Sequence, residues 1–154
     1  MSVNNLGDIP SGSIYGDTIS HASVASNGAG ASVGGAGAVG KWRAPADCKI
    51  VSVFWEAEGA DSDAANTASY RQLSLVDGGA DASGTAVVAS LNLTASLASD
   101  TQRAFTLATN ATYPDGVPLD AGDTVYASHA TVGGNHSTGT VLVAGSFRFY
   151  YMPV

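Results

Sequence analysis

The chain has 154 residues, of which 45% are hydrophobic and 12% charged; glycine occupies 19 positions and the formal net charge is −7. A chain this acidic is a poor electrostatic match for nucleic acid or an anionic membrane surface, which excludes both as expected partners. Its hydrophobic content excludes outright disorder, and its length is that of a single domain.

The sequence predicts neither a targeting signal nor a reactive cysteine. The first residues, MSVNNLGDIPSGS, contain neither a basic nor an apolar segment, so we expect no secretory signal and synthesis in a cytosol. No stretch approaches the roughly 18 consecutive apolar residues of a membrane helix. The single cysteine, Cys48, opens a strand-like run and is interpreted as a small buried hydrophobe. The glycosylation sequons at Asn92, Asn110 and Asn135 are attributed to chance.

The N-terminal quarter differs from the rest of the chain. Residues 20–40 read SHASVASNGAGASVGGAGAVG, with valine as the only bulky aliphatic residue. Glycine is costly to order and alanine and serine bury little surface, so this segment cannot form a core by itself. It is a flexible linker or an arm that becomes ordered against something else. Because it follows a short N-terminal piece, we expect an arm over residues 1–40 and a sandwich domain over residues 41–154.

The residues from 41 onward have the alternation of β-strands. In segment 49–58, strict alternation places Val51, Val53, Trp55 and Ala57 on one face and Ile50, Ser52, Phe54 and Glu56 on the other. In segment 69–76, it places Arg71, Leu73 and Leu75 opposite Tyr70, Gln72 and Ser74. Further strands are predicted at 85–93, 103–108, 123–131 and 140–152. The last places Phe147, Phe149 and Tyr151 opposite Arg148 and Tyr150, with a bend or bulge at Gly145.

Two weaker strand candidates, residues 13–20 and 39–44, raise the count from six to the eight of a jelly roll. Only residues 95–102 have any helical character, for one turn at most. Residues 77–85 (DGGADASGT) and 132–140 (VGGNHSTGT) share the pattern x-Gly-Gly-x-x-x-x-Gly-Thr, which predicts hairpin loops with glycines at positive φ. The predicted fold is all-β: a jelly-roll-like antiparallel β-sandwich of about eight strands with an extended Gly/Ala-rich N-terminal arm.

Carboxylates are the first candidates for chemistry. Glu56 and Glu58 lie at i and i+2 on one strand face, whereas a glycosidase needs two carboxylates about 5–10 Å apart across a cleft, usually from different strands. They are interpreted as a solvated strand end. Loop oxygens could also bind Ca²⁺, although turn-forming aspartate is the simpler interpretation. The loop acids concerned are Asp61, Asp63, Asp77, Asp81, Asp115, Asp120 and Asp123.

Histidine and serine chemistry have less support. His129 lies in a predicted strand and His136 in the next loop, so a metal site is conceivable, but these two and His21 lack the close spacing of ligands. No nucleophile elbow follows a strand, and no helix follows the glycines as a phosphate loop requires. We therefore expect no catalytic residue, no cofactor-binding residue and no metal ligand, and the protein is not expected to be an enzyme.

The layout resembles the small jelly-roll structural proteins of tailed bacteriophages, in particular capsid decoration (cement) proteins. The resemblance rests on the Ala/Gly-rich arm, the strands VSVFWEAEG and SYRQLSLVDGG, the turn and strand PLDAGDTVYAS, and the terminal VLVAGSFRFYY. It implies a protein that binds the outside of an assembled capsid, often as a trimer, and stabilises it against internal pressure. The implied partners are the major capsid protein and other copies of the chain, on the virion exterior after synthesis in the host cytoplasm. We expect residues 1–40 and the hairpin-loop tips to make the contacts.

An alternative function is a carbohydrate- or receptor-binding β-sandwich module of a phage fibre or tail. Such a module would use Trp55, Tyr113 or Tyr126 as a stacking platform at the loop ends, with or without Ca²⁺. The terminal segment FRFYYMPV has two interpretations: a last core strand, or a strand whose outer Arg148 and Tyr150 serve a protein–protein interface.

Overall fold

The computed structural model describes residues 12–21, 24–25, 32–33, 41–59, 70–95, 102–132, 141–142 and 144–154. Within these ranges there are thirteen strands and no helix. The strands are β1 (Tyr15–His21), β2 (Val24–Ala25), β3 (Ser32–Val33), β4 (Lys41–Arg43), β5 (Cys48–Ala57), β6 (Tyr70–Asp77), β7 (Ala86–Leu93), β8 (Gln102–Ala104), β9 (Thr106–Leu107), β10 (Val117–Leu119), β11 (Thr124–Val132), β12 (Val141–Leu142) and β13 (Gly145–Pro153).

The strands form two main antiparallel sheets. The first sheet has the order β1-β13-β5-β10, and β8 pairs with β5 beside β10. The second sheet has the order β3-β11-β6-β7-β9, and β4 pairs with β11 beside β3. A separate two-stranded ribbon joins β12 to β2. The predicted helical turn at 95–102 and the loop at 132–140 lie almost entirely outside the described residues.

The strand pairs are nested within one another along the chain. β1 pairs with β13, β4 with β11, β5 with β10, and β6 with β7. The outermost and third pairs lie in the first sheet, and the second and innermost pairs lie in the second. This is the arrangement of a long antiparallel ribbon folded over into two packed sheets, which defines a jelly roll. The all-β sandwich is therefore confirmed, and the weaker candidates 13–20 and 39–44 are β1 and β4.

The core fills the space between the two sheets. Its members are Ile19, Ala44, Cys48, Ile50, Val53, Trp55, Ala57, Leu73, Leu75, Val88, Ala89, Leu93, Phe105, Leu119, Val125, Ala127, Phe147, Phe149 and Tyr151. Ile19 belongs to β1, so a strand from the range assigned to the arm contributes to the core at the edge of the first sheet. The domain boundary at residue 40 stays a prediction.

The predicted faces are confirmed in β13 and corrected in β5. Phe147, Phe149 and Tyr151 are buried, as their alternation predicts. In β5, however, strict alternation is wrong at the start, because Ile50 is buried on the same side as Trp55. The cause is a bulge: Tyr151 pairs with Ile50 but Tyr150 pairs with Ser52. The extra residue between Ile50 and Ser52 shifts the alternation of inward and outward side chains by one position.

The loop that joins β6 to β7 shows how the glycine pattern works. Gly79 has φ of +68°, as the sequence predicts, while Gly84 serves a different purpose. A Cβ on Gly84 would lie 2.9 Å from the carbonyl oxygen of Asp77, so only glycine permits this approach of the two backbones. Ala82 also adopts a positive φ, +62°, which the sequence does not reveal.

Candidate functional site

Arg71 is the most unusual side chain in the core, because among the described charged residues it alone has no exposed surface. It lies on β6, and its Nη1 is 3.4 Å from Nε2 of His129 on β11, a residue that is 2% exposed. A guanidinium has donors only, so Nε2 must accept and the imidazole carries its proton on Nδ1. This contact links two strands inside the core and leaves no route for a substrate. His136, the other candidate ligand of a metal site, lies outside the described residues.

Glu56 in β5 and Glu58 just after it do not form a carboxylate pair across a cleft. Glu56 Oε2 lies 2.8 Å from Nη2 of Arg148 on β13, and both side chains are partly exposed. Glu58 follows the strand and is exposed, and its backbone N–H donates to the carbonyl of Ala144. Glu56 is therefore neutralised by a neighbouring strand, which suits a surface contact better than acid–base catalysis.

The described loop aspartates mainly stabilise turns, as the simpler interpretation predicts. Asp77 accepts a hydrogen bond from the N–H of Gly79, and Asp81 accepts from the N–H and hydroxyl of Ser83. Asp123 likewise accepts from the N–H of Asp120. Within the described ranges, no group of three or more His, Cys, Asp or Glu side chains is placed to hold a metal ion. Asp61 and Asp63 lie outside these ranges.

Two of these aspartates have shifted pKa values in opposite directions. Burial raises the pKa of Asp77, and the nearby carboxylates of Asp123 and Asp120 raise it further, against the lowering effect of the Gly79 N–H. The hydrogen bonds from Ser83 lower the pKa of Asp81, which is fully exposed. The acidic loops thus contain both a carboxylate that is costly to ionise and one whose charge is stabilised.

Cys48 is a buried thiol at the start of β5, and the interpretation as a small hydrophobe is confirmed. It is 1% exposed. Burial raises its pKa to about 11, and the charges of Asp47 and Asp123 act in the same direction. Because the thiolate is the reactive form, this cysteine is chemically inert near neutral pH.

The three aromatic residues proposed as a stacking platform have different environments. Trp55 is 1% exposed and packs edge-to-face on Phe147 at 5.3 Å, so it belongs to the core. Tyr126 is 4% exposed and donates its hydroxyl to the carbonyl of Gly84, beneath the loop after β6. Neither can stack on a ligand. Tyr113 is 48% exposed and is the only member of the three that could do so.

Tyr113 lies on the loop between β9 and β10. Hydrogen bonds within this loop stabilise its shape. The Asn110 side-chain oxygen accepts hydrogen bonds from the N–H groups of Thr112 and Tyr113. Beside the ring is a shallow cleft of about 110 Å³, to which Lys49 and Asp115 also contribute. An exposed ring with a cation and a carboxylate nearby can bind a small polar ligand by stacking and hydrogen bonding.

The outward face of the first sheet contains a second group of aromatic side chains. The rings of Phe54 and Tyr150 meet edge-to-face with centroids 6.2 Å apart, next to the ion pair of Arg148 and Glu56. Alternation correctly places Arg148 and Tyr150 on one face of β13, and Phe54 and Glu56 on one face of β5. It cannot reveal that they form one cluster, because this depends on the pairing of β5 with β13 across about 90 residues of chain.

Among the described residues, no helix is long and apolar enough to cross a membrane. No family model matches the chain, and no curated protein matches it. Among solved structures, it is similar to chains from the structures of infectious bursal disease virus Gx strain and Gt strain, at 13% and 14% identity, each with a TM-score of 0.40. The matches cover 93% and 92% of this chain but 34% and 32% of theirs, so the chain spans about a third of their length. A likeness this distant has no bearing on function.

Proposed function

We propose that the protein is a non-enzymatic viral structural protein that binds the outside of an assembled phage capsid and stabilises it. The observation that supports this proposal is the distribution of charge on the sandwich. Among the described carboxylates, only Glu56 lies on the outward face of either sheet, and Arg148 neutralises it. The others lie in loops, at strand ends or on the edge strand β1. On a chain of net charge −7, sheet faces almost free of carboxylates reduce the repulsion between copies packed in a crowded, repetitive shell.

Binding to a capsid also relaxes the demand on any single contact. Copies arranged by the symmetry of a shell repeat the same modest contacts many times, and multivalency then replaces one tight site. In this proposal the partners are the major capsid protein and other copies of the chain, in the trimer that the resemblance implies. Residues 1–40 and the hairpin-loop tips make the contacts; within that range β1 is already paired with β13, so the contacts are assigned to the remainder of the range.

Co-sedimentation with capsids tests the proposal. Purified protein is titrated onto capsids of the encoding virus that have been stripped of it, and the pellet is quantified. We expect saturation at a fixed ratio to the major capsid protein, together with a higher temperature of capsid disruption. Pelleting no greater than that without capsids would overturn the proposal.

The exposed Tyr113 favours a second candidate function, a carbohydrate- or receptor-binding module of a fibre or tail. A glycan array with and without a chelator tests it, comparing the natural chain with Tyr113→Ala. The matched control is Tyr70→Ala, which removes a half-buried tyrosine from β6, far along the chain from the cleft. Binding that only Tyr113→Ala abolishes would support this function; an array without signal would exclude it for the glycans displayed.

A further inference from the structure

The outward face of the first sheet contains a pair of aromatic rings among polar and charged side chains. An antiparallel sheet that packs on a core with one side commonly presents polar residues on the other. Here the outward positions also include Phe54, Tyr150 and Met152, all half-buried by their neighbours. We call this surface the aromatic face; its described members are Gly16, Thr18, Ser20, Lys49, Ser52, Phe54, Glu56, Gln102, Ala104, Pro118, Ser146, Arg148, Tyr150 and Met152.

Small residues surround the two rings and leave them prominent. One row across the sheet contains Thr18, Arg148, Phe54 and Ala104, and the next contains Gly16, Tyr150 and Ser52. The Tyr150 ring covers Gly16 closely, since a Cβ there would lie 3.2 Å from its Cε1 atom. The edge-to-face contact with Phe54 fixes the ring from the other side. Rings that are already oriented lose little entropy when a partner covers them.

The charges on this face are complementary to themselves. Arg148 and Glu56 lie side by side at 2.8 Å, and Lys49 is the remaining charge, so the face sums to 2 − 1 = +1 on a chain of −7. Rotation by 180° about an axis near the ion pair brings the cation of one copy to the carboxylate of another. A two-fold contact uses the same patch on both copies, and this patch has the required pairing of signs.

The edge of the same sheet disfavours the competing mode of association. Asp17 lies on β1 at an exposed position, on the side of the strand that also carries buried Ile19. A charge on the inward side of an edge strand opposes edge-to-edge pairing with another sheet. Contact between copies is thereby directed from the edge of the sheet to its face.

We propose that the aromatic face binds the aromatic face of a second copy of this chain about a two-fold axis. This inference names the surface through which copies of the chain associate, and it rests on the proposed function for the association itself. A two-fold contact joins copies in pairs, so closed assemblies built with it contain an even number of chains. Two of the trimers in the proposed function, joined in this way, form a hexamer.

The mass of the protein in solution is the first test. Analytical ultracentrifugation of the full chain should detect assemblies at even multiples of 15.4 kDa. Phe54→Thr, which preserves strand propensity, should weaken association about tenfold or more, as expected for a central aromatic contact. The matched control is Tyr70→Thr on the outward face of the second sheet, which should leave the assembly unchanged. A monomer, a trimer, or an even assembly insensitive to Phe54→Thr would overturn the inference.

A mixing experiment separates contact between copies from stability of the single chain. Arg148→Glu leaves two carboxylates at the ion pair, and Glu56→Arg leaves two cations, so each variant alone should be monomeric. Mixed in equal amounts, the two variants should associate in complexes that contain one of each. Because the ion pair within each chain stays broken in the mixture, restored association can come only from a contact between copies. Variants that associate alone, or a mixture that stays monomeric, would contradict the inference.

Capsid co-sedimentation distinguishes failure of this inference from failure of the proposed function. If the natural chain is monomeric but saturates capsids, the contact proposed here is wrong and the capsid function stands. If an even assembly depends on Phe54 but does not bind capsids, the contact is right and the capsid function is wrong.

Discussion

The inward faces of the two sheets stabilise the same core in different ways. The first sheet contributes large rings, namely Trp55, Phe147, Phe149 and Tyr151. The second contributes mainly aliphatic and small side chains, such as Leu73, Val88 and Ala127, together with the polar contact of Arg71 and His129. The large rings of the first sheet thus fill the part of the core that the smaller side chains of the second sheet leave open. The first sheet should therefore be sensitive to lost volume, and the second to lost hydrogen bonding.

Truncation of a ring should have the largest effect. Trp55→Ala removes a side chain that is 1% exposed and packed on Phe147, and we expect a loss of about 3–5 kcal/mol in the free energy of unfolding. Val88→Ala in the second sheet should cost about 2 kcal/mol, since it removes two methyl groups. Urea unfolding measures both. Equal losses would show that the two faces do not differ as described.

Removal of the polar contact in the second sheet should have an intermediate effect. His129→Leu takes away an acceptor for the buried guanidinium of Arg71, and we expect a loss of about 1–3 kcal/mol in the free energy of unfolding. The double variant with Arg71→Met removes both polar groups and should cost less than the sum of the single variants. Strict additivity in this double-mutant cycle would mean that the 3.4 Å contact contributes no coupling energy.

The smallest effect should come from the rim of the second sheet, at the end of β6. The folded-state pKa of Asp77 is raised, so its contribution to stability is fully present at low pH and is lost as pH rises through that pKa. Asp77→Asn retains an acceptor for the Gly79 N–H and should raise the thermal midpoint at pH 7, with the gain vanishing below about pH 4.

Asp81→Asn is the control with the opposite sign. The pKa of Asp81 is lowered, so its charge contributes stability above the unfolded-state pKa, and this contribution disappears as pH falls. The substitution should not stabilise the protein at pH 7. A gain at pH 7 from Asp81→Asn, or a pH-independent gain from Asp77→Asn, would refute the assignment of these effects to charge.

The sequence predicts faces well and pairings poorly. Alternation in β13 places Phe149 inside and Tyr150 outside, because each residue's side is set by the local pleat. The same rule fails at Ile50, since a bulge depends on the partner strand and leaves no local signal. Candidate sites are the hardest features to predict, because local sequence patterns do not show which strands pair. Arg71 meets His129 only because β6 pairs with β11, a contact across 58 residues that no short-range pattern contains.

The copy number of the protein in virions tests the central proposal most directly. Quantitative mass spectrometry of purified particles from the encoding virus should find many copies, at a fixed ratio to the major capsid protein. A handful of copies per particle would instead favour a fibre or tail module built around Tyr113. Absence from the particle would contradict a role as a structural protein of the virion.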